Sequence, residues 1–304
     1  MAGEGRLEKA GRLMRRAAIA SLAVSLFLVT IKTFAYFASH SVAMLASLAD
    51  SALDLFTASL NMLAIRQSLT PADAEHRFGH GKAEPLAGLA QGAFITASAL
   101  FLVIQAVNRI LSPEPIDHSV EALMVMCIAI ACAILLILYQ RRVVARTGSL
   151  AVEADQTHYL GDLATNVGVV LALVLSAYLG WNLADPVIAI LVALIMLASA
   201  LGVGKDSFNQ LMDRELPDEE RARIRRIAEN HDAVRNVHDL KTRAAGLSTF
   251  IQLHLALDPD IRLSEAHKIS DAVEQAIRNA YPGADVIIHQ DPEGLEPLPE
   301  DFAD

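Results

Sequence analysis

Six stretches of this chain are apolar for long enough to cross a lipid bilayer, and that limits the fold more than any other feature. A spanning helix needs about 20 residues. In lipid every backbone polar group must be satisfied internally, so such runs become helices. The six cover residues 17–38, 42–65, 84–111, 120–139, 150–179 and 184–203. The third and fifth exceed what a bilayer requires, so their ends are expected to extend past it. Arg12, Arg15 and Arg16 ahead of the first give it the look of a signal peptide. Its apolar run is longer than the usual ~7–15 residues, which makes it a retained span. A mean hydropathy of +0.37 over 304 residues agrees, and it excludes a disordered chain, which could not keep so much apolar surface in water.

Charge divides the chain at the place where hydropathy does. From Asp213 to Asp304 there are 20 Asp/Glu against 11 Lys/Arg, a net of -9; the rest holds 15 against 14, a net of -1. The expected domains are a transmembrane domain over 1–208, an acidic cytoplasmic domain over 209–292, and a disordered Pro-rich and acidic tail over 293–304. In the second domain, 218–230 and 264–280 have helical patterning, while 237–243, 249–257 and 285–289 read as strands. The fold class is therefore six transmembrane α-helices plus a C-terminal α/β domain in the order α-β-β-α-β, an open sheet covered by helices. A total formal charge of -10 argues against a nucleic-acid partner. Two cysteines, Cys127 and Cys132, both in an apolar run, exclude a disulfide framework and a zinc ribbon.

Loop charges set the orientation. Arg6, Lys9, Arg12, Arg15 and Arg16 precede the first span. Arg66, Arg77 and Lys82 fill the second loop, and Arg141, Arg142 and Arg146 the fourth. The first, third and fifth loops carry neither Lys nor Arg. The positive-inside rule places both termini in the cytoplasm.

The informative residues are the charges inside the apolar runs. Asp50 and Asp54 lie four apart near the middle of span two and share one helical face. Two adjacent carboxylates in lipid repel each other and are costly unless compensated, and a cation between them supplies the compensation. Span five offers a second pair four apart, His158 and Asp162. Together they present three carboxylates and one imidazole, a set that suits Zn²⁺ or a similar divalent ion. A lone intramembrane acid is as often a structural hydrogen-bonding group; two spaced pairs on different spans are not. Lys32, far along span one, is expected to snorkel, Glu153 and Asp155 to lie near the cytoplasmic entrance, and Asn166 to act as interhelical glue. Gly88 and Gly92 have the spacing that allows close helix contact, a pattern common by chance.

Ser47, Asp50 and Asp54 in span two, with His158 and Asp162 in span five, resemble the motifs of the cation diffusion facilitator family. The likeness is nearest to its bacterial zinc and ferrous-iron efflux branch. The loop run from Pro71 through Asp73, His76, Gly79, His80 and Lys82 to Glu84 follows that branch closely. So does the tail run from Val286 through His289 to Pro292, and the resemblance covers nearly the whole chain. It implies a homodimeric, proton-coupled antiporter of the bacterial inner membrane with three metal locations per protomer. The transport site would be Asp50, Asp54, His158 and Asp162. A second site would use Asp73, His76 and His80. A binuclear cytoplasmic site would use His238, His254, His267, His289 and Asp291, the last bridging. Lys82 and Asp213 would pair as an interlock. Seven of the ten histidines fall in these clusters.

The expected activity is proton-coupled export of Zn²⁺, with Cd²⁺ and Fe²⁺ also admitted, by alternating access. Metal and protons would compete for the same ligands, with His158 as the main proton carrier. The chain has no P-loop and no HExxH motif, which argues against ATP-driven transport and an intramembrane metalloprotease. A membrane-anchored metal sensor is the remaining alternative, and it leaves the intramembrane ligands without a purpose.

Overall fold

The computed structural model describes residues 2–39, 42–111, 120–179 and 183–294. His40, His118, the first, third and fifth loops and the expected disorder from residue 295 lie outside the described residues. The order is α1 (Ala2–Ser39), α2 (Val42–Ser68), α3 (Ala83–Leu111), α4 (Val120–Thr147), α5 (Leu150–Leu179), α6 (Ala184–Leu211), α7 (Asp218–Glu229), β1 (Asn236–Ala245), β2 (Ser248–Leu257), α8 (Leu263–Ala280) and β3 (Asp285–Pro292). The chain divides into two compact units, Arg12–Phe208 and a second made of Met1–Gly11 with Asn209–Asp304.

In the first unit the helices outrun their apolar cores. α4 has 28 residues, about 42 Å at 1.5 Å per residue, against a hydrocarbon layer of about 30 Å. Its extension past Tyr139 runs from Gln140 to Thr147 and carries Arg141, Arg142 and Arg146, with no helix breaker. Five helices are long and apolar enough to span by composition, among the described residues. α5 is the sixth, 30 residues long but interrupted by Glu153, Asp155, His158 and Asp162. It lies inside the bundle, packed against α4, α3 and α2. Large side chains such as Leu135 and Ile195 stay exposed, at 70% and 63%. That is the outward apolar surface a helix presents to lipid.

The packing of α6 explains the paired glycines. A Cβ on Gly88 would sit 2.5 Å from Ser207 Oγ, and one on Gly92 would sit 3.3 Å from the Ala200 carbonyl. A Cβ at Gly88 would displace the Ser207 hydroxyl and one at Gly92 would press on the α6 backbone, so the small residues favour this close approach. One turn further on, Ile95 and Ala99 bury against Val192, Ala193, Met196 and Ala200.

The second unit is a three-stranded sheet in the order β1-β2-β3, with β1 antiparallel and β3 parallel to β2. α7 and α8 pack on one face. Their Ile224, Ala228, Ala266, Ile269, Val273 and Ile277 form one core with Val237, Ile251, Leu253, Leu255, Leu257 and Val286 of the strands. Strand residues alternate between faces, so His238 of β1, ahead of a bulge, and the even-numbered side chains of β2 point away from the helices. β3 runs on to Pro292, past the expected end at 289, because its parallel pairing continues to Leu257↔Pro292. Between His238 and Lys241 β1 bulges, and Asp239 there takes φ 47°, unusual for a residue with a side chain.

Candidate metal centres

The described residues form three groups whose ligand-type atoms all lie within 4.8 Å of one another: Asp54, His158 and Asp162; Asp73, His76 and His80; His238, His254 and Asp291.

The first group lies between α2 and α5. His158 Nε2 is 3.0 Å from Asp54 Oδ1 and 3.6 Å from Asp162 Oδ2. The i, i+4 spacing on α5 points His158 and Asp162 the same way, and α2 brings Asp54 across. His158 is 8% exposed. Asp50, one turn before Asp54, is exposed and stands outside this three-residue group.

Two features around the group were missed in the sequence. Lys32 does not snorkel: its Nζ donates to the Ser47 carbonyl at 3.1 Å and to Ser51 Oγ at 2.6 Å, both on α2. Asp155, near the start of α5, is 1% exposed and closed in by other side chains. It accepts from Gln91 Nε2 at 3.3 Å and Gln140 Nε2 at 2.5 Å. Gln91 and Gln140 inside or beside apolar runs were the available signal, since a buried amide needs a partner. Glu84, 2% exposed, accepts the Ala151 N–H at the start of α5, where free amide hydrogens favour an anion.

The loop group is pre-shaped. Asp73 Oδ1 accepts the backbone N–H of Glu75 at 2.9 Å and of His76 at 2.7 Å, an Asx turn. Gly79 supplies φ 79°. His76 Nδ1 then lies 3.5 Å from Asp73 Oδ1, and His80 Nε2 lies 3.3 Å from Asp73 Oδ2. The His76 amide bond, helped by that of Glu75 and by both imidazoles, holds the Asp73 carboxyl below the usual carboxylate range. Lys82 immediately precedes α3, and Asp213 follows α6 at φ 57° and pairs with Arg243 at 3.2 Å.

The cytoplasmic group is built by strand register. His238 pairs with His254, and His254 with His289, so three imidazoles form a row across the sheet. Asp291, two residues along β3, shares their face. Its Oδ2 lies 3.0 Å from His238 Nε2 and 2.8 Å from His254 Nδ1, and its Oδ1 lies 3.1 Å from His289 Nε2. One carboxylate thus faces three imidazoles through both oxygens. Burial pushes the Asp291 carboxyl up, but the hydrogen bond from His254 and the charges of His254, His289 and His238 outweigh it and hold it below its ordinary value. Asp239, placed by the bulge, lies 3.4 Å from His254 Nε2, a neighbour that sequence spacing does not reveal. His267 is not brought to this row. It sits on α8, on the other side of the sheet, 69% exposed beside Asp271 at 3.5 Å.

Residues 18–212 match the cation efflux transmembrane domain, and residues 216–293 match the cytoplasmic domain of cation efflux proteins. The cation-efflux pump FieF of Escherichia fergusonii is 46% identical over 287 residues, 94% of this chain and 95% of that protein. The cation-efflux pump FieF of Escherichia coli gives the same figures. A solved structure concerned with the mode of action of the zinc transporter CzrB, in its zinc form, is 41% identical, covers 28% of this chain and 99% of its own, and has a TM-score of 0.27.

Proposed function

This chain belongs to the cation diffusion facilitator, or cation efflux, family, and on that premise we propose that it exports Zn²⁺ from the cytoplasm in exchange for protons, with Cd²⁺ and Fe²⁺ as further substrates. The observation that carries the proposal is His158 Nε2 set 3.0 Å from Asp54 and 3.6 Å from Asp162 between two membrane helices. One imidazole among carboxylates favours Zn²⁺ and Cd²⁺ and admits Fe²⁺.

Asp54, His158 and Asp162 with Asp50 form the transport site. Carboxylate and imidazole bind metal only when deprotonated, so protons arriving from outside release the ion and metal from inside displaces the protons. α2 and α5 each carry half of the ligands, so alternating access consists of opening this pair to one side and then the other. The chain works as a homodimer in the bacterial inner membrane, with both termini in the cytoplasm. The loop group and the His238–His254–His289–Asp291 row are further metal sites, the latter sensing cytoplasmic metal. His267 would reach that row only from another copy.

The test is metal flux in proteoliposomes with and without an imposed pH gradient, for wild type and Asp54→Ala. Gradient-dependent Zn²⁺ uptake, lost in the variant, is the expected result. Absence of flux for Zn²⁺, Cd²⁺ and Fe²⁺ in folded protein would leave a metal sensor as the better reading.

A further inference from the structure

Lys32 lies within a span where an unpaired ammonium is costly. Its hydrogen bonds go to the Ser47 carbonyl and Ser51 Oγ on α2. Ser47, Ser51 and Asp54 follow one another at helical spacing, with Asp50 beside them, so the ammonium is pinned to the helical stripe that carries both α2 ligands. Asp54, Asp50 and Asp162 all lie within its electrostatic reach. The serine oxygens hold it in place, and the carboxylates keep their lone pairs for an ion. The charge therefore acts across space and not as a ligand.

From this geometry we propose that Lys32 is a positioning residue, the fixed counter-charge that makes the loaded transport site electrically neutral and so keeps metal release fast. The proposal rests on the transport-site reading above. Three carboxylates carry -3, a divalent ion +2 and the ammonium +1, which sum to zero. A neutral centre is the arrangement least penalised in a low-dielectric interior. Without the ammonium the loaded site keeps one negative charge. The site then holds a divalent ion more tightly and gives it up more slowly. A helix tie made only of hydrogen bonds between α1 and α2 predicts neither change.

Two substitutions separate charge from hydrogen bonding. Lys32→Gln keeps an N–H donor for α2 and removes the charge; Lys32→Arg keeps the charge. Zn²⁺ uptake into proteoliposomes, read as KM and kcat at one fixed pH gradient, is compared for both, with wild type and Asp54→Ala alongside. Lys32→Gln is expected to lower KM on the order of tenfold, the scale of one unit charge acting near an ion, and to lower kcat by a similar factor. Lys32→Arg is expected to match wild type in both. Wild-type kinetics in Lys32→Gln, or equal impairment in Lys32→Arg, would overturn the counter-charge. Should Lys32→Gln not reconstitute, Lys32→Arg decides alone: wild-type kinetics support the proposal and impaired kinetics reject it. Retained flux in Asp54→Ala is a separate result that removes the transport-site reading itself.

Discussion

The membrane and cytoplasmic groups use the same residue types in opposite proportions. Between α2 and α5 one imidazole meets carboxylates. In the sheet, three imidazoles meet one carboxylate through both its oxygens. The first is rich in carboxylates and has an ammonium held beside it by Ser51. The second carries one formal negative charge from Asp291, with Asp239 at its margin. An anionic centre in lipid must exchange charge to empty, which suits a carrier; a largely neutral centre on a solvated sheet has no such requirement, which suits retention. Backbone form follows the same division. A helix delivers ligands at i and i+4 and needs a second helix to finish the set. A sheet delivers them as a row fixed by pairing.

If this contrast is real, the two centres separate under mutation. The largest effect is expected from Asp54→Ala: no gradient-driven Zn²⁺ flux, with cytoplasmic-domain zinc binding unchanged by calorimetry. Loss of both together would break the comparison. Asp291→Ala comes next. It removes the carboxylate shared by three imidazoles, so cytoplasmic zinc affinity should fall by at least about 100-fold, more than the loss of an outer-shell partner produces, while flux at saturating metal persists.

A smaller effect concerns acid. The folded Asp291 carboxyl sits below its ordinary range, so its contribution to stability is present above the unfolded value, about 3.9, and is lost as pH falls through the lower folded value. In metal-free protein, the drop in Tm between about pH 5 and pH 3 should be smaller in Asp291→Asn. Asp73 is shifted the same way but is fully exposed, where solvent weakens such effects. The smallest effect is expected from His267→Ala, with cytoplasmic zinc affinity within about twofold and stability within about 0.5 kcal/mol. A zinc ion lost per chain would instead put His267 back among the ligands.

The membrane helices were legible because each apolar run is long enough for a bilayer, and the pairs four apart on α2 and α5 pointed to where Asp54, His158 and Asp162 meet. Helix ends were not legible, since Arg and Gln continue a helix as readily as they leave it. The partners of Lys32 and Asp155 depend on which helices are neighbours, which hydropathy does not encode. That His267 stands apart from the row within one chain is readable in the sequence. Ala266, Ile269, Val273 and Ile277 give the buried stripe of α8, and the strand histidines have the parity that faces away from it. The Val/Ile run of β3 ends before His289, yet the strand reaches Pro292; a last strand residue at a sheet edge tolerates proline.

The histidine row has one more consequence. Sliding a strand by one residue turns every side chain to the opposite face. With β2 and β3 shifted by a single position, His254 and His289 could no longer stand side by side, and Asp291 would lose its company. On the proposal that this row binds zinc, zinc uptake by the domain would be a fingerprint of correct strand pairing. A zinc titration of freshly refolded protein would count correctly threaded molecules directly, where circular dichroism sees only that strands exist.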